Sequence, residues 1–284
     1  MMRPRSLPRR RFTNGLVNSI SALAALFGLF MLCWIVFTVL KNGISSFSLS
    51  MLTELPKAQG DKSGTGGVAN AILGTGIITL IASMIGIPLG LMTGIYLSEF
   101  GKDHWLASTV RFCNTILLGI PSIIIGIMVF ETLVIPMRTF SGLAGGVALS
   151  ILMLPVVART TEDMLTLVPN SLRESSLALG ASRWKTIRTV VFRAAKTGLI
   201  TGTLLAVARV GGETAPLMFT AFNSPDWPRS LLGAMANLTM TVFQGYSSPF
   251  QFDQRAAWAA SLLIAIAILA VNLSTRLLFR ERKR

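Results

Sequence analysis

Apolar residues fall into six long blocks along the chain, and shorter polar or charged segments separate them. The blocks cover residues 16–40, 68–97, 112–135, 143–158, 198–222 and 256–278. A helix of roughly 20 apolar residues crosses the hydrocarbon core of a bilayer. The pattern therefore predicts an all-α polytopic membrane protein with six transmembrane helices.

Basic residues lie mostly on one side of these blocks. The segments assigned to the inner side carry 19 of the 26 Lys and Arg residues, as the positive-inside rule requires of cytoplasmic segments. Both termini are therefore predicted to be cytoplasmic. The predicted order is a basic tail at 1–15, the first transmembrane helix at 16–40, a periplasmic loop at 41–67 and a core at 68–284. This core holds five transmembrane helices, a cytoplasmic loop at 159–196 and an outer loop at 223–254.

The composition excludes several classes of function. The net charge of +14 would suggest nucleic acid in a soluble protein, but 52% of the residues are hydrophobic and the charges collect between apolar blocks. We therefore expect contact with membrane lipid and none with nucleic acid. The sequence has no P-loop motif and one histidine, and Cys33 and Cys113 fall in or beside apolar blocks. We expect no catalysis, metal or cofactor in this chain. If the process in which it takes part is ATP-driven, the nucleotide is bound by another subunit.

The central polar segment predicts two short helices joined by a turn. Ser171 and Glu174 have the spacing of a capping box, and Pro169 lies just upstream. Gly180 is placed to end the first helix in a left-handed conformation. Ser182 is placed to cap the second helix. We expect this unit to lie outside the membrane, because it is too polar to enter lipid.

The fifth apolar block contains a pair of opposite charges beside helix-breaking residues. Arg209 and Glu213 are one helical turn apart, so a continuous helix would place them on one face. A charge near the middle of a membrane span is unfavourable by about 2.5–3.5 kcal/mol and usually faces a cavity or another subunit. Gly211, Gly212 and Pro216 predict a kink, or hinge, at the same point.

Two interpretations of this charged pair stay open from the residues alone. Arg209 and Glu213 could neutralise each other as a structural pair inside the helix bundle. Alternatively, Arg209 could face an anion in transit, since its guanidinium offers two parallel N–H groups to a tetrahedral oxyanion.

Several runs resemble a known transporter family. Glu174 and Gly180 match the spacing of the EAA loop of ABC-importer permeases, with Ser175 and Ser176 in place of its Ala pair. Other runs resemble the permease family of the high-affinity phosphate ABC importer. These are residues 94–100, 155–165, 167–174 and, most specifically, 208–217.

This resemblance implies a type I ABC importer permease fold in the bacterial inner membrane. It implies a heterodimer with a second, homologous permease, a cytoplasmic ATPase dimer that binds ATP and Mg²⁺, and a periplasmic phosphate-binding protein. It ties Arg209, Glu213 and Arg159 to the path of inorganic phosphate. It also assigns coupling to the ATPase to the EAA-like residues Ser171, Glu174, Ser175, Ser176 and Gly180.

Three other functions remain open. One is an ABC permease for another oxyanion, such as molybdate or sulfate. A second is a self-sufficient channel or ion-driven carrier, although a carrier would be expected to show inverted repeats or several paired acids in its spans. A third is a membrane scaffold that senses phosphate, a role that can coexist with transport.

Overall fold

The computed structural model describes residues 7–57, 66–101 and 104–278, with side chains from residue 11 onward except those of 275, 276 and 278. Within these ranges all regular structure is helical. The α-helices are α1 (Leu7–Ser46), α2 (Ala69–Ile95), α3 (Trp105–Gly119), α4 (Ser122–Val129), α5 (Ile135–Met137), α6 (Gly142–Thr166), α7 (Asn170–Ala178), α8 (Arg183–Thr186), α9 (Phe192–Val210), α10 (Ala215–Thr220), α11 (Leu238–Ser247) and α12 (Gln251–Leu278).

Five unbroken helices in the described part of the chain are long and apolar enough to cross a membrane. They span Arg11–Ser46, Ala69–Phe100, Gly142–Thr166, Arg183–Val210 and Gln251–Ser274. Wider helical turns at Tyr96–Phe100 and Ile187–Val191 continue α2 and join α8 to α9 in two of these spans. The third predicted span, residues 112–135, is not one straight helix. It lies across two helical segments, Trp105–Gly119 and Ser122–Met137, which are bent by 100° where Ile120 and Pro121 interrupt the helix. Pro121 has no N–H group with which to continue the hydrogen-bond ladder of α3.

Helices α2 and α6 form the tightest pair in the bundle because small residues line α2. Gly86, Gly90 and Gly94 recur every four residues and therefore share one face. A Cβ at Gly90 would lie 2.7 Å from Cβ of Val157, and one at Gly94 would lie 2.5 Å from Cβ of Thr161. Glycine thus permits a close backbone approach, as in many membrane helix pairs.

The main core lies where α2, α6, α9 and α10 meet. Its fully buried side chains include Ile78, Leu149, Met153 and Val157. Helix α1, in contrast, has no buried residue in its apolar window and packs mainly along α12. Its apolar surface is therefore left for lipid or for another subunit.

Two predicted polar segments contain more helix than the sequence indicated. The predicted cytoplasmic loop at 159–196 is largely helical, because α6 continues to Thr166 and the next long helix begins at Arg183. The predicted outer loop at 223–254 contains α11, whose first turn is buried. Asn237 caps this helix by accepting a 2.9 Å hydrogen bond from the backbone N–H of Met240, which holds the turn inside the bundle.

Candidate functional site

The helix of the fifth apolar block, which carries the two charges, is interrupted at its glycines and proline. It stops there completely, whereas the sequence predicted only a kink. Helix α9 ends at Val210, and residues Gly211 to Thr214 form a turn before α10 begins at Ala215. Pro216 lies in the first turn of α10, where its missing N–H group breaks no helical hydrogen bond. The prediction that Pro216 kinks a continuous helix is therefore wrong.

A second break faces the first. After the bend at Pro121, α4 packs against α10, with Gly126 in close contact with α10. A Cβ added to Gly126 would lie 2.6 Å from Cα of Pro216. The two interrupted spans therefore meet through their short helices α4 and α10.

The two breaks enclose a small cavity of about 120 Å³ that both predicted charges line. Ile120 and Ser122 contribute from the first break, and Arg209, Val210 and Glu213 contribute from the second. The remaining lining residues are apolar and come from α3 and α6, namely Leu117, Leu118, Leu152 and Val156. The cavity thus places one basic and one acidic side chain in otherwise mainly apolar surroundings.

Arg209 and Glu213 share this cavity without forming an ion pair. The ion pairs among the described residues are Arg111–Glu162, Arg159–Asp163 and Arg173–Glu99. The premise that the two charges lie on one helical face is wrong, because the helix ends between them at Val210. The side chain of Arg209 is therefore left without a carboxylate partner in the described part of the chain.

Two hydrogen bonds from the start of α11 hold the backbone on either side of α10, at Glu213 and at Phe222. Thr239 donates through its hydroxyl to the carbonyl oxygen of Glu213 at 3.0 Å, and Asn237 donates to the carbonyl oxygen of Phe222 at 3.1 Å. Both donors belong to the buried start of α11. The segment predicted to be an outer loop thus supports the charged break from its other side.

Arg159 does not line this cavity. It lies on α6, and its Nε donates to Asp163 one turn later at 3.2 Å. Both side chains are at least half exposed, so the pair contributes little to stability. Arg159 therefore lies apart from the cavity that Arg209 and Glu213 share, and its predicted link to the phosphate path stays a prediction.

The central unit has the predicted helix, turn and helix, but its first cap differs from the prediction. Helix α7 begins at Asn170 after Pro169, with no side-chain cap, so the capping box of Ser171 and Glu174 is wrong. Ser171, Glu174 and Ser175 are instead exposed on α7, while Ser176 shares a 2.9 Å hydrogen bond with Thr186.

The predicted turn at Gly180 is confirmed. Gly180 has φ of +82°, its N–H donates to Leu177, and the N–H of Ala181 donates to Ser176. These two bonds are those of a Schellman motif. Ser182 accepts from the N–H of Lys185 at 3.3 Å, so the predicted cap of the second helix is also confirmed.

Some residues that hold this unit were not singled out by sequence reasoning. Glu99 lies in the helical turn Tyr96–Phe100 that continues α2, and it accepts a hydrogen bond from Nη2 of Arg173 on α7 at 2.6 Å. These residues are 74 positions apart, so no local spacing links them. The only sequence signal was an acidic residue at the end of an apolar block and a basic residue on the short helix.

Comparison with known proteins defines the class and then the family. Residues 86–283 match the model of the binding-protein-dependent transport system inner membrane component. A chain from the structure titled inward-facing conformations of the MetNI methionine ABC transporter has the same fold. The TM-score is 0.60 at 22% identity, over 77% of this chain and 95% of that one. The protein is thus an inner-membrane permease with a type I ABC importer fold.

Relatives at higher identity give the particular family. The phosphate transport system permease protein PstA of Yersinia pestis is 46% identical, over 96% of this chain and 92% of the relative. The PstA protein of Haemophilus influenzae is 43% identical, over 96% of each chain. The chain belongs to the PstA family of permeases, which confirms the family resemblance seen in the sequence.

Proposed function

We propose that this chain is a non-catalytic permease subunit of an ATP-driven phosphate importer and forms half of the anion pathway. Its relatives carry the name of phosphate transport system permeases. The chain supplies a membrane passage, and ATP hydrolysis belongs to a separate ATPase subunit. Phosphate moves through it without a covalent step.

One observation carries this proposal, namely the position of Arg209 at a cavity between two interrupted spans. Interrupted helices within a membrane protein are tolerated where the backbone lines a pathway or is buried in protein. A lone arginine charge there is unfavourable unless an anion compensates it. An oxyanion provides that compensation, because its oxygens accept paired N–H bonds from a guanidinium.

The face of α9 that carries Arg209 is open and mostly small or polar. Its exposed residues recur every three or four positions and include Ala194, Thr197, Thr201, Leu205 and Arg209. A lipid-facing surface would be more apolar than this stripe. We therefore assign this face to a second, homologous permease subunit, so that the pathway lies between two non-identical subunits.

The cytoplasmic and periplasmic ends of the helix bundle contact the other partners. The exposed residues of α7 (Ser171, Glu174 and Ser175), together with Ser176 and the turn at Gly180, form the contact with a cytoplasmic ATPase dimer that holds ATP and Mg²⁺. A periplasmic phosphate-binding protein delivers the ion to the opposite face. The permease and these partners then alternate between outward-open and inward-open states.

The other predicted residues have supporting roles in this proposal. Glu213 keeps Arg209 from holding phosphate too tightly, because its carboxylate lies at the same cavity. The turn at Gly211 and Gly212 acts as the hinge ahead of Pro216. Arg159, whose side chain is exposed on the C-terminal half of α6, draws the anion towards the inner exit.

The test is uptake of radiolabelled phosphate by the assembled importer in proteoliposomes. Arg209→Gln should lower uptake by more than about a hundredfold, because phosphate in a low-dielectric passage then lacks its counter-charge. Arg193→Gln is the matched control, because it removes the same charge from a residue on the same helix that does not line the cavity, and it should stay within about twofold of wild type.

Competing anions separate phosphate from the alternatives. Excess unlabelled phosphate should abolish the signal, whereas sulfate and molybdate should leave it unchanged. Equal uptake by the Arg209→Gln and wild-type complexes would contradict the proposal. Preferential competition by sulfate or molybdate would assign the permease to another oxyanion.

A further inference from the structure

The short helix α7 is held to the helix bundle by an ion pair with one acidic residue, Glu99. The Glu99 side chain is 6% exposed and that of Arg173 is 12% exposed. Nη2 of Arg173 lies 2.6 Å from Oε1 of Glu99, and its Nε lies 3.2 and 3.3 Å from the two carboxylate oxygens. The guanidinium therefore meets the carboxylate side-on, as a buried, multiply bonded ion pair.

The same guanidinium also closes the end of α6. Its Nη2 donates to the carbonyl oxygen of Leu165 at 2.7 Å, and its Nη1 donates to that of Val168 at 2.5 Å. Carbonyl groups at the end of a helix lack intrahelical donors. Arg173 thus joins α7 to the ends of both α2 and α6, the tightly packed pair at the centre of the fold.

A second arginine holds the other side of the Gly180 turn at the same place. Arg183, at the start of α8, donates through Nη2 to the backbone carbonyl oxygen of Glu99. Its guanidinium lies 4.8 Å from the ring centre of Phe100, within the range of a cation–π contact. Glu99 and Phe100 therefore bind the segments on both sides of the turn.

We propose that Glu99, Arg173 and Arg183 form a lock that makes the α7 unit move as one body with α2 and α6. This inference rests on the proposed function, because it concerns how motion at the ATPase contact reaches the pathway. A force on the exposed face of α7 is transmitted through the ion pair and the capped carbonyls to the two spans. Without these contacts, α7 moves with the ATPase, and α2 and α6 do not move with it.

A double variant in which both partners of the ion pair are neutral distinguishes a role in coupling from a role in stabilising the fold alone. A single change at Glu99 or Arg173 strands a buried charge, so it lowers assembly whatever the role of the pair. The double variant Glu99→Gln/Arg173→Gln strands no charge, and an ion pair that only stabilises the fold is often replaceable by neutral groups. A glutamine is also too short to bridge both helix ends as the guanidinium does. The double variant should therefore assemble and yet couple poorly.

The first measurement is the number of ATP molecules hydrolysed per phosphate transported by the assembled importer. This ratio should rise about fivefold or more in the double variant, the range of a typical coupling effect. The matched control is Arg111→Gln/Glu162→Gln, which removes an ion pair of the same length that joins α3 to α6. Its ratio should match wild type. A normal ratio in the Glu99→Gln/Arg173→Gln complex would overturn the lock.

The second measurement does not depend on the substrate. Spin labels at Leu179→Cys beside the turn and Met84→Cys on α2, both exposed, report the distance between the α7 unit and its span after Cys33 and Cys113 are replaced by alanine. With the lock intact, the distance distribution should stay narrow and unchanged when ATP binds. The double variant should broaden it. An equally narrow distribution in the double variant would reject the lock, whereas absence of phosphate uptake by wild type would reject only the proposed function.

Discussion

Gly126 lies against Pro216 so closely that a Cβ on the glycine would sit 2.6 Å from the proline Cα and 3.2 Å from its carbonyl oxygen. This contact joins the helices that follow the two breaks, and it lies beside the cavity that holds Arg209. Neither backbone atom can move away as a flexible side chain would. A glycine at position 126 therefore permits the close approach of the two interrupted spans.

Gly126→Ala should push α4 and α10 apart and lower both stability and uptake. Inserting one methyl group into a packed contact is destabilising by about 1–3 kcal/mol, and the displaced breaks reshape the cavity. Gly119→Ala is the control, because a Cβ there meets nothing within 4 Å. The measurements are the melting temperature and the phosphate uptake of the assembled importer. Equal values for the two variants would show that the close contact has no part in transport.

Gly180→Ala tests the turn of the central unit. Space is open around this residue, so the only penalty is its φ of +82°. An L-residue in the left-handed region is less favourable than glycine by about 1–2 kcal/mol. The apparent affinity for the ATPase should therefore fall about five- to thirtyfold. Gly28→Ala serves as the control, since it lies in open space within a helix of ordinary φ.

The readout for Gly180→Ala is ATPase co-purification over a range of ATPase concentrations. The membrane part should remain folded, because the residue is exposed and touches no core cluster. ATPase binding indistinguishable from that of the Gly28→Ala complex would argue against a coupling role for this turn.

Reporter fusions test the orientation predicted from the basic residues. Fusions at Lys57 and Ser247 should give a periplasmic signal, and a fusion at Lys185 should give a cytoplasmic one. Fusions at Asp103 and Lys283, which lie outside the described residues, should also be cytoplasmic. A cytoplasmic signal at Ser247 would contradict six crossings, because it would remove or reverse the last two.

The sequence predicted where the fifth span is interrupted, but it did not predict that the helix stops there instead of kinking. Gly211, Gly212 and Pro216 marked the break in the fifth block, because these residues disfavour a continuous helix. Whether the chain kinks or stops depends on tertiary contacts, among them the bond from Thr239 to Glu213. Likewise, Pro121 was visible in the third block, but its 100° bend depends on how α4 packs against α10.

Long-range contacts account for most of what sequence reasoning missed. The turn at Gly180 and the cap at Ser182 were predictable because their partners lie within five residues. The pair of Glu99 and Arg173 was not predictable, since the residues come from helices far apart in the chain. The capping box failed because Arg173 binds Glu99, Leu165 and Val168 and fixes the start of α7 in another way.

The most direct test of the central claim is phosphate uptake by the Arg209→Gln, Glu213→Gln and double-variant complexes, with the yield of each complex as its control. If Arg209 compensates the anion, Arg209→Gln abolishes uptake while assembly survives, Glu213→Gln is milder, and the double variant stays inactive. If the two charges serve only to neutralise each other, each single change strands a charge and the double change removes both. Restored uptake in the double variant would therefore contradict a transport role for Arg209.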